Sequence, residues 1–141
     1  MLNATVTKRI DVTPDLMIIF VRPDAGIGDF QAGQYIALGL PAFMDRPEHF
    51  PDEKKEVDGQ KLIKRSYSIV SSPLERDALE FFIAVDPAGS LTSRLFLLRE
   101  GDRLWAAPKI VGAFTLEGVP PQGNLIMVSS GTGIAPCISM L

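Results

Sequence analysis

Short apolar stretches, each cut off by proline, glycine or a charged cluster, recur along this chain and limit how it can fold. Ala4 to Val12 sets Val6 and Ile10 among polar neighbours, Leu16 to Val21 is an apolar run rich in β-branched side chains, and Gln34 to Leu40 is entered through Gly33. Leu79 to Val85 is apolar almost throughout, and Asp102 to Ala107 reads as a further strand. Stretches of this length and punctuation read as strands, and a series of them forms an all-β sandwich or barrel. No internal repeat of solenoid length is present.

Residues 41–61 have a different character. Pro41, Pro47, Pro51 and the run Asp52-Glu53-Lys54-Lys55-Glu56 predict an exposed excursion. Asp58-Gly59 fits a type I′ hairpin turn, around which Val57 would pair with Leu62-Ile63 before the strand runs on to Arg65. Thr92 to Arg99 is the one helix expected before residue 120. Leu91, Leu95 and Leu98 recur at helical spacing, Ser90 or Thr92 can cap it, and Gly101 can end it. Farther on, Leu125 to Ser129 has the composition of a buried parallel strand. Gly131 to Pro136 is the turn leaving it, and Cys137 to Leu141 begins a helix. The expected organisation is a β-barrel over residues 1–120, then the first β-turn-α step of a second unit over residues 121–141.

The totals exclude several classes. A chain of 141 residues is enough for one domain with a workable core. Hydrophobic residues at 46% and charged residues at 22% rule out a disordered chain. A net charge of −3 is too mild to point to nucleic acid or an anionic membrane. The single cysteine, Cys137, allows no internal disulfide and fits a reducing compartment. No apolar run approaches the length of a membrane span, and Met1-Leu2-Asn3-Ala4 leads into alternating polar residues without a signal-peptide core. The expected location is cytoplasmic.

The chemistry concentrates in Arg65-Ser66-Tyr67-Ser68-Ile69-Val70-Ser71, followed by Ser72-Pro73. Strand alternation puts Arg65 and Tyr67 on one face and Ser66 and Ser68 on the other. Such a strand presents a ring, a hydroxyl and a guanidinium to successive parts of one flavin dinucleotide. Tyr67 would stack on the ring system, Ser68 would donate near its N5, and Arg65 would pair bidentately with pyrophosphate. The structural alternatives are a half-buried strand aromatic at Tyr67, a solvated charge at Arg65 and a simple helix cap at Thr92.

The Arg-x-Tyr-Ser and Ser-Ser-Pro pattern resembles the flavin-binding barrel of the ferredoxin–NADP reductase superfamily. Gly89-Ser90-Leu91-Thr92 resembles that family's second flavin signature, where a glycine and a small hydroxyl residue open a helix facing the FAD pyrophosphate. The resemblance implies backbone and hydroxyl contacts from Gly89, Leu91 and Thr92. It also implies that Ile83, Ala84 and Val85 line the ribityl and adenosine side. Many relatives carry a basic residue just after that strand, whereas this chain has Asp86.

A second motif, Gly131-Thr132-Gly133-Ile134-Ala135-Pro136, stands where a dinucleotide phosphate loop belongs, between an apolar stretch and a helix start. It resembles the family's NADP(H) pyrophosphate loop, which implies binding by Gly131, Thr132 and Gly133 and places Thr132 near the nicotinamide–flavin contact. An ordinary strand-to-helix turn is the structural alternative. Gly112-Ala113-Phe114 resembles the family's segment closing the barrel, with Phe114 read as core first. Trp105 is expected in the core, Cys137 is expected to be small and buried, and one His with one Cys makes a zinc site improbable. Lys54, Lys55, Lys61 and Lys64 would suit a docking patch for an acidic electron carrier, but their interleaving with Glu53, Glu56 and Asp58 favours a solvated hairpin.

The expected fold is therefore mainly β: an antiparallel Greek-key barrel binding FAD with one capping helix, followed by the truncated start of an α/β nucleotide-binding domain. The resemblance implies an FAD-dependent oxidoreductase passing electrons between NADP(H) and ferredoxin or flavodoxin, with Tyr67, Ser68 and Thr132 nearest the chemistry. NAD(H) in place of NADP(H) stays open, and the flavin half alone is expected to turn over poorly or not at all. Two alternatives remain: a flavin-binding electron-transfer subunit of a larger oxidoreductase, and a barrel without cofactor.

Overall fold

The computed structural model describes residues 1–54 and 58–141; Lys55, Glu56 and the expected pairing of Val57 lie outside the described residues. Among the described residues six strands carry the fold: β1 (Ala4–Thr13), β2 (Leu16–Pro23), β3 (Tyr35–Pro41), β4 (Leu62–Ser68), β5 (Leu79–Ala84) and β6 (Arg103–Ala106). They form one sheet in the order β4-β3-β6-β1-β2-β5, and every pairing is antiparallel. β6 inserts between β1 and β3 at the end of a long return, which is Greek-key connectivity. The two ends of the order meet just past β4, where the Val70 N–H donates to the Glu80 carbonyl at 2.9 Å and the Glu80 N–H donates to Ser71 Oγ at 3.1 Å. The sheet thereby curls into a barrel.

The alternation that marks these strands sets what lies inside. Val6, Met17, Ile19, Val21, Leu38, Leu40, Phe81, Ile83 and Leu104 are buried together in one core. Register decides two positions, and at Trp105 it overturns the expected place in the core. In β1 the pairing jumps between Val6 and Lys8, so Thr7 is an extra residue, and Ile10 ends on the outer face at 38% exposure. In β6, Leu104 and Ala106 take the inner face, so Trp105 is only half buried and carries the Lys64 ammonium 4.4 Å from its ring centre.

Four other readings are corrected. Asp58-Gly59 does not form a type I′ turn, because neither residue takes a positive φ. The Asp58 carbonyl accepts from the Lys61 N–H and its carboxylate from the Gln60 N–H, which closes the turn one residue later. The helix expected over Thr92 to Arg99 is the single turn α1 (Thr92–Leu95), without a side-chain cap. Thr92 Oγ1 instead donates to the Asp86 carbonyl and accepts from the Asp86 N–H. Leu125 to Ser129 is neither strand nor buried, with Ile126 at 86% and Val128 at 90% exposure. A strand needs a partner for its backbone groups, and the described residues supply none there. Phe114 is likewise exposed rather than core.

After that stretch, residues Gly131–Ile134 form a 3-10 turn and α2 (Ala135–Met140) follows, with Pro136 in its first turn and Cys137 buried, both as expected. Ser139 Oγ donates to the Ser71 carbonyl at 2.8 Å and fixes α2 to the chain leaving β4. No helix among the described residues is long and apolar enough to cross a membrane.

The excursion after β3 is held by a buried cation. Arg94 donates through Nε and Nη2 to the Ala42 carbonyl, and through Nη1 to Glu53 Oε1 and the Ser90 carbonyl, both at 2.6 Å. Arg46 adds bonds to Ser93 Oγ, the Pro51 carbonyl and the Pro87 carbonyl. Burial pushes the Glu53 carboxyl up, but the hydrogen bond and charge of Arg94, helped by Ser90 and Arg46, outweigh it and leave Glu53 below its ordinary value of 4.5. Arg94→Met should cost about 3 kcal/mol in denaturant unfolding at neutral pH, since it leaves Glu53 without its cation. Glu53 titrates with a depressed folded value, so its stabilisation is fully present above 4.5 and is lost as pH falls below 4.5 through the lower folded value. The gap between wild type and Arg94→Met should therefore narrow in acid; a gap that stays constant or widens would contradict the pairing.

Candidate functional site

A cavity of about 670 Å³ lies between β4 and the segment that leads into α1. β4 contributes Arg65, Ser66 and Tyr67, and the segment contributes Gly89, Ser90, Leu91 and Thr92. Two motifs separated along the chain thus share one wall. Their meeting follows from topology, because β4 and β5 are the ends of the sheet order that come together when the barrel closes.

Each side chain has a local reason for its position. Arg65 is exposed, with Nη1 satisfied by the Lys64 carbonyl at 2.7 Å and no carboxylate partner among the described residues. The residue lines the cavity. Tyr67 is half buried, its ring edge set against Phe81 at 6.5 Å between centres. Burial pushes its phenol up to about 12, against a smaller opposing effect of the Arg65 charge, so it stays a neutral donor at physiological pH. Gly89 is required by close approach, since a Cβ there would lie 2.7 Å from Thr92 Oγ1 and 3.0 Å from the Asp86 carbonyl. The Ser90 and Leu91 N–H groups have no partner among the described residues.

The remaining lining residues give the cavity its charge. Lys54, Lys61 and Lys64 join Arg65, against the single carboxylate of Asp86. The Lys54 ammonium hydrogen-bonds Asp86 and holds its carboxyl below the usual range, against a smaller effect of burial and with help from the Ala88 N–H. Lys54, Lys61 and Lys64, read from sequence with Lys55 as a solvated hairpin, therefore stand along a concave wall, while Lys55 lies outside the described residues. The missed signal was that Lys64 shares the strand of Arg65 and Lys61 directly precedes it. A helix of one turn carries little macrodipole, so these side chains supply most of the positive potential.

The other expected residues lie elsewhere. Ser68 ends β4, half buried and outside the set lining this cavity. Ile83 and Val85 point into the core, while Ala84 faces outward. Ala84 lines a second groove of about 370 Å³ with Leu16, Phe82, Gly131, Thr132 and Ile134. Gly131 takes φ of 55° there, a left-handed conformation that glycine adopts without strain. Gly133 belongs to the same 3-10 turn but does not line the groove.

This barrel and its cavity have counterparts among known proteins. No family model matches the chain. A flavodoxin/ferredoxin–NADP reductase of Shigella flexneri is 35% identical over 136 residues, which is 96% of this chain and 47% of the relative. A ferredoxin–NADP+ reductase from Neisseria gonorrhoeae, solved with bound FAD and NADP, superposes with a TM-score of 0.77 at 26% identity, over 97% of this chain and 48% of that one. A cytochrome P450 reductase from Amycolatopsis gives a TM-score of 0.75 at 26% identity, over 99% of this chain and 37% of that one. The fold is that of the FAD-binding barrel of the ferredoxin–NADP reductases. In sequence the chain is a relative of the flavodoxin/ferredoxin–NADP reductases, and it spans about half the length of the curated relatives it matches.

The raised phenol of Tyr67 gives a test of the site geometry that needs no ligand. Tyr67→Phe should remove a tyrosinate absorbance step centred near pH 12. Loss of a step near the ordinary value of 10 instead would show that the Tyr67 ring is open to water.

Proposed function

We propose that this barrel is the FAD-binding part of an oxidoreductase that moves electrons between NADP(H) and ferredoxin or flavodoxin. The observation that carries the reading is the meeting of Arg65, Ser66 and Tyr67 with Gly89, Leu91 and Thr92 in one cationic cavity. The residues suit a flavin dinucleotide. A guanidinium without a carboxylate partner and two open backbone N–H groups match a pyrophosphate, and a half-buried aromatic matches a flat ring. When bound, the flavin supplies the hydride-accepting, one-electron-releasing chemistry that side chains lack.

The chain's own part is binding and orientation. Arg65 would hold the pyrophosphate in a bidentate grip, with Gly89, Leu91 and Thr92 adding backbone and hydroxyl donors. Tyr67, fixed by Phe81, would set the ring plane and keep water from one face. Ser66 would line the wall, and Ser68 would offer its hydroxyl near the reacting edge of the ring. Ile83 and Val85 would support this wall from the core, with Ala84 on the outside. Gly131 and Thr132 would receive the nicotinamide dinucleotide at the second groove, with Gly133 shaping the same turn, as the opening of a nucleotide-binding unit over residues 121–141. The proposed setting is the cytoplasm, in keeping with the free thiol of Cys137.

The likeness to the P450 reductase favours one other reading, a flavin domain serving a different electron acceptor. Reducing the flavin-loaded protein and offering flavodoxin, ferredoxin and a P450 partner in parallel separates the two by which acceptor is reduced fastest. For the site itself, adding FAD to the purified protein should give a bound-flavin absorption spectrum with quenched fluorescence. Arg65→Ala should weaken FAD binding at least tenfold, the effect of losing a charge-assisted bidentate pair. FAD affinity unchanged by Arg65→Ala would remove the pyrophosphate role.

A further inference from the structure

Lys54 lines the cavity without belonging to either motif. It arrives from the excursion after β3, and its position is built by several contacts. Its backbone N–H donates to the Ala88 carbonyl at 3.1 Å, and its ammonium pairs with Asp86 Oδ2 at 2.5 Å. The residue before it, Glu53, is anchored on buried Arg94, and Arg46 ties the same excursion to Pro87 and Ser93. The backbone at Lys54 is therefore fixed, while its ammonium rides on a flexible stem with the side chain 68% exposed.

The Lys54–Asp86 pair is open to solvent on both sides, and an exposed pair of this kind is held weakly. A pyrophosphate presents more negative charge than one carboxylate and more than one guanidinium neutralises. Asp86 keeps the Ala88 N–H as a hydrogen-bond donor if the lysine leaves. Asp86 itself stands where a cation would serve a phosphate better, and the strap places Lys54 beside it.

Resting on the FAD reading above, we propose that Lys54 is a phosphate-binding residue of this cavity: its ammonium exchanges Asp86 for the pyrophosphate of the bound dinucleotide. Arg65 then holds the same group from β4, so the two cations come from separate elements. The excursion becomes part of the binding site instead of a solvated loop.

The test compares FAD with riboflavin, which has the same ring and no phosphate, by fluorescence quenching on the wild type, Lys54→Gln and Lys54→Arg. Lys54→Gln should weaken FAD about tenfold, the effect of one charge-assisted hydrogen bond, and leave riboflavin unchanged. Lys54→Arg should keep FAD affinity near the wild-type value. FAD affinity unchanged in Lys54→Gln overturns the proposal while leaving the FAD reading intact. An equal loss for FAD and riboflavin also overturns it, because it assigns Lys54 to holding the strap. A wild type that binds neither ligand fails the FAD reading and the proposal with it.

Discussion

The buried guanidinium of Arg94 is the contact on which the cavity depends. It ties Ala42 at the start of the excursion, Glu53 near its middle and Ser90 in the segment before α1. A buried cation is stable only when its donors are met and its charge is paired, and here both conditions are fulfilled by the elements that form the cavity wall. Barrel closure sets β4 beside β5, but it does not by itself place the segment from Gly89 to Thr92 at a fixed depth. The arginine does, and the same contact sets where Lys54 emerges.

This arrangement explains why the cavity is cationic despite a chain that is acidic overall, with a net charge of −3. The positive side chains are gathered on β4 and on the strap facing it, while Asp86, the one carboxylate among the described lining residues, is paired. Low-dielectric walls of Tyr67, Leu62 and Leu91 around those charges strengthen attraction for an anion. The second groove, at Ala84 and Gly131-Thr132, is more apolar in its lining and suits a planar group better than a phosphate side chain contact.

The barrel was legible in the sequence because strand alternation and Gly/Pro punctuation are local signals. All six strands stand where alternation puts them, to within a few residues. What failed was non-local. The bulge at Thr7 turns Ile10 outward, and only the pairing with β2 shows it. The apolar run at Leu125 has strand composition, yet a strand also needs a neighbour. For the site, Arg65 and Tyr67 could be named from their motif. Lys54, Lys61 and Lys64 could not be separated from a solvated face, because their shared wall exists only once the excursion and β4 are brought together. Ile83 and Val85 were named with Ala84 as one stretch, but alternation sends them to the opposite face of β5.

The central claim is that the cavity between β4 and Gly89–Thr92 receives the flavin dinucleotide. Amide chemical-shift mapping during FAD titration tests it most directly. The predicted result is a set of saturable shifts concentrated at Lys64 to Ser68 and Gly89 to Thr92, with Lys54 and Ala88 moving alongside them. Shifts confined to the separate cavity lined by Asp24, Asp29 and Lys109, or none at saturating FAD, would contradict it.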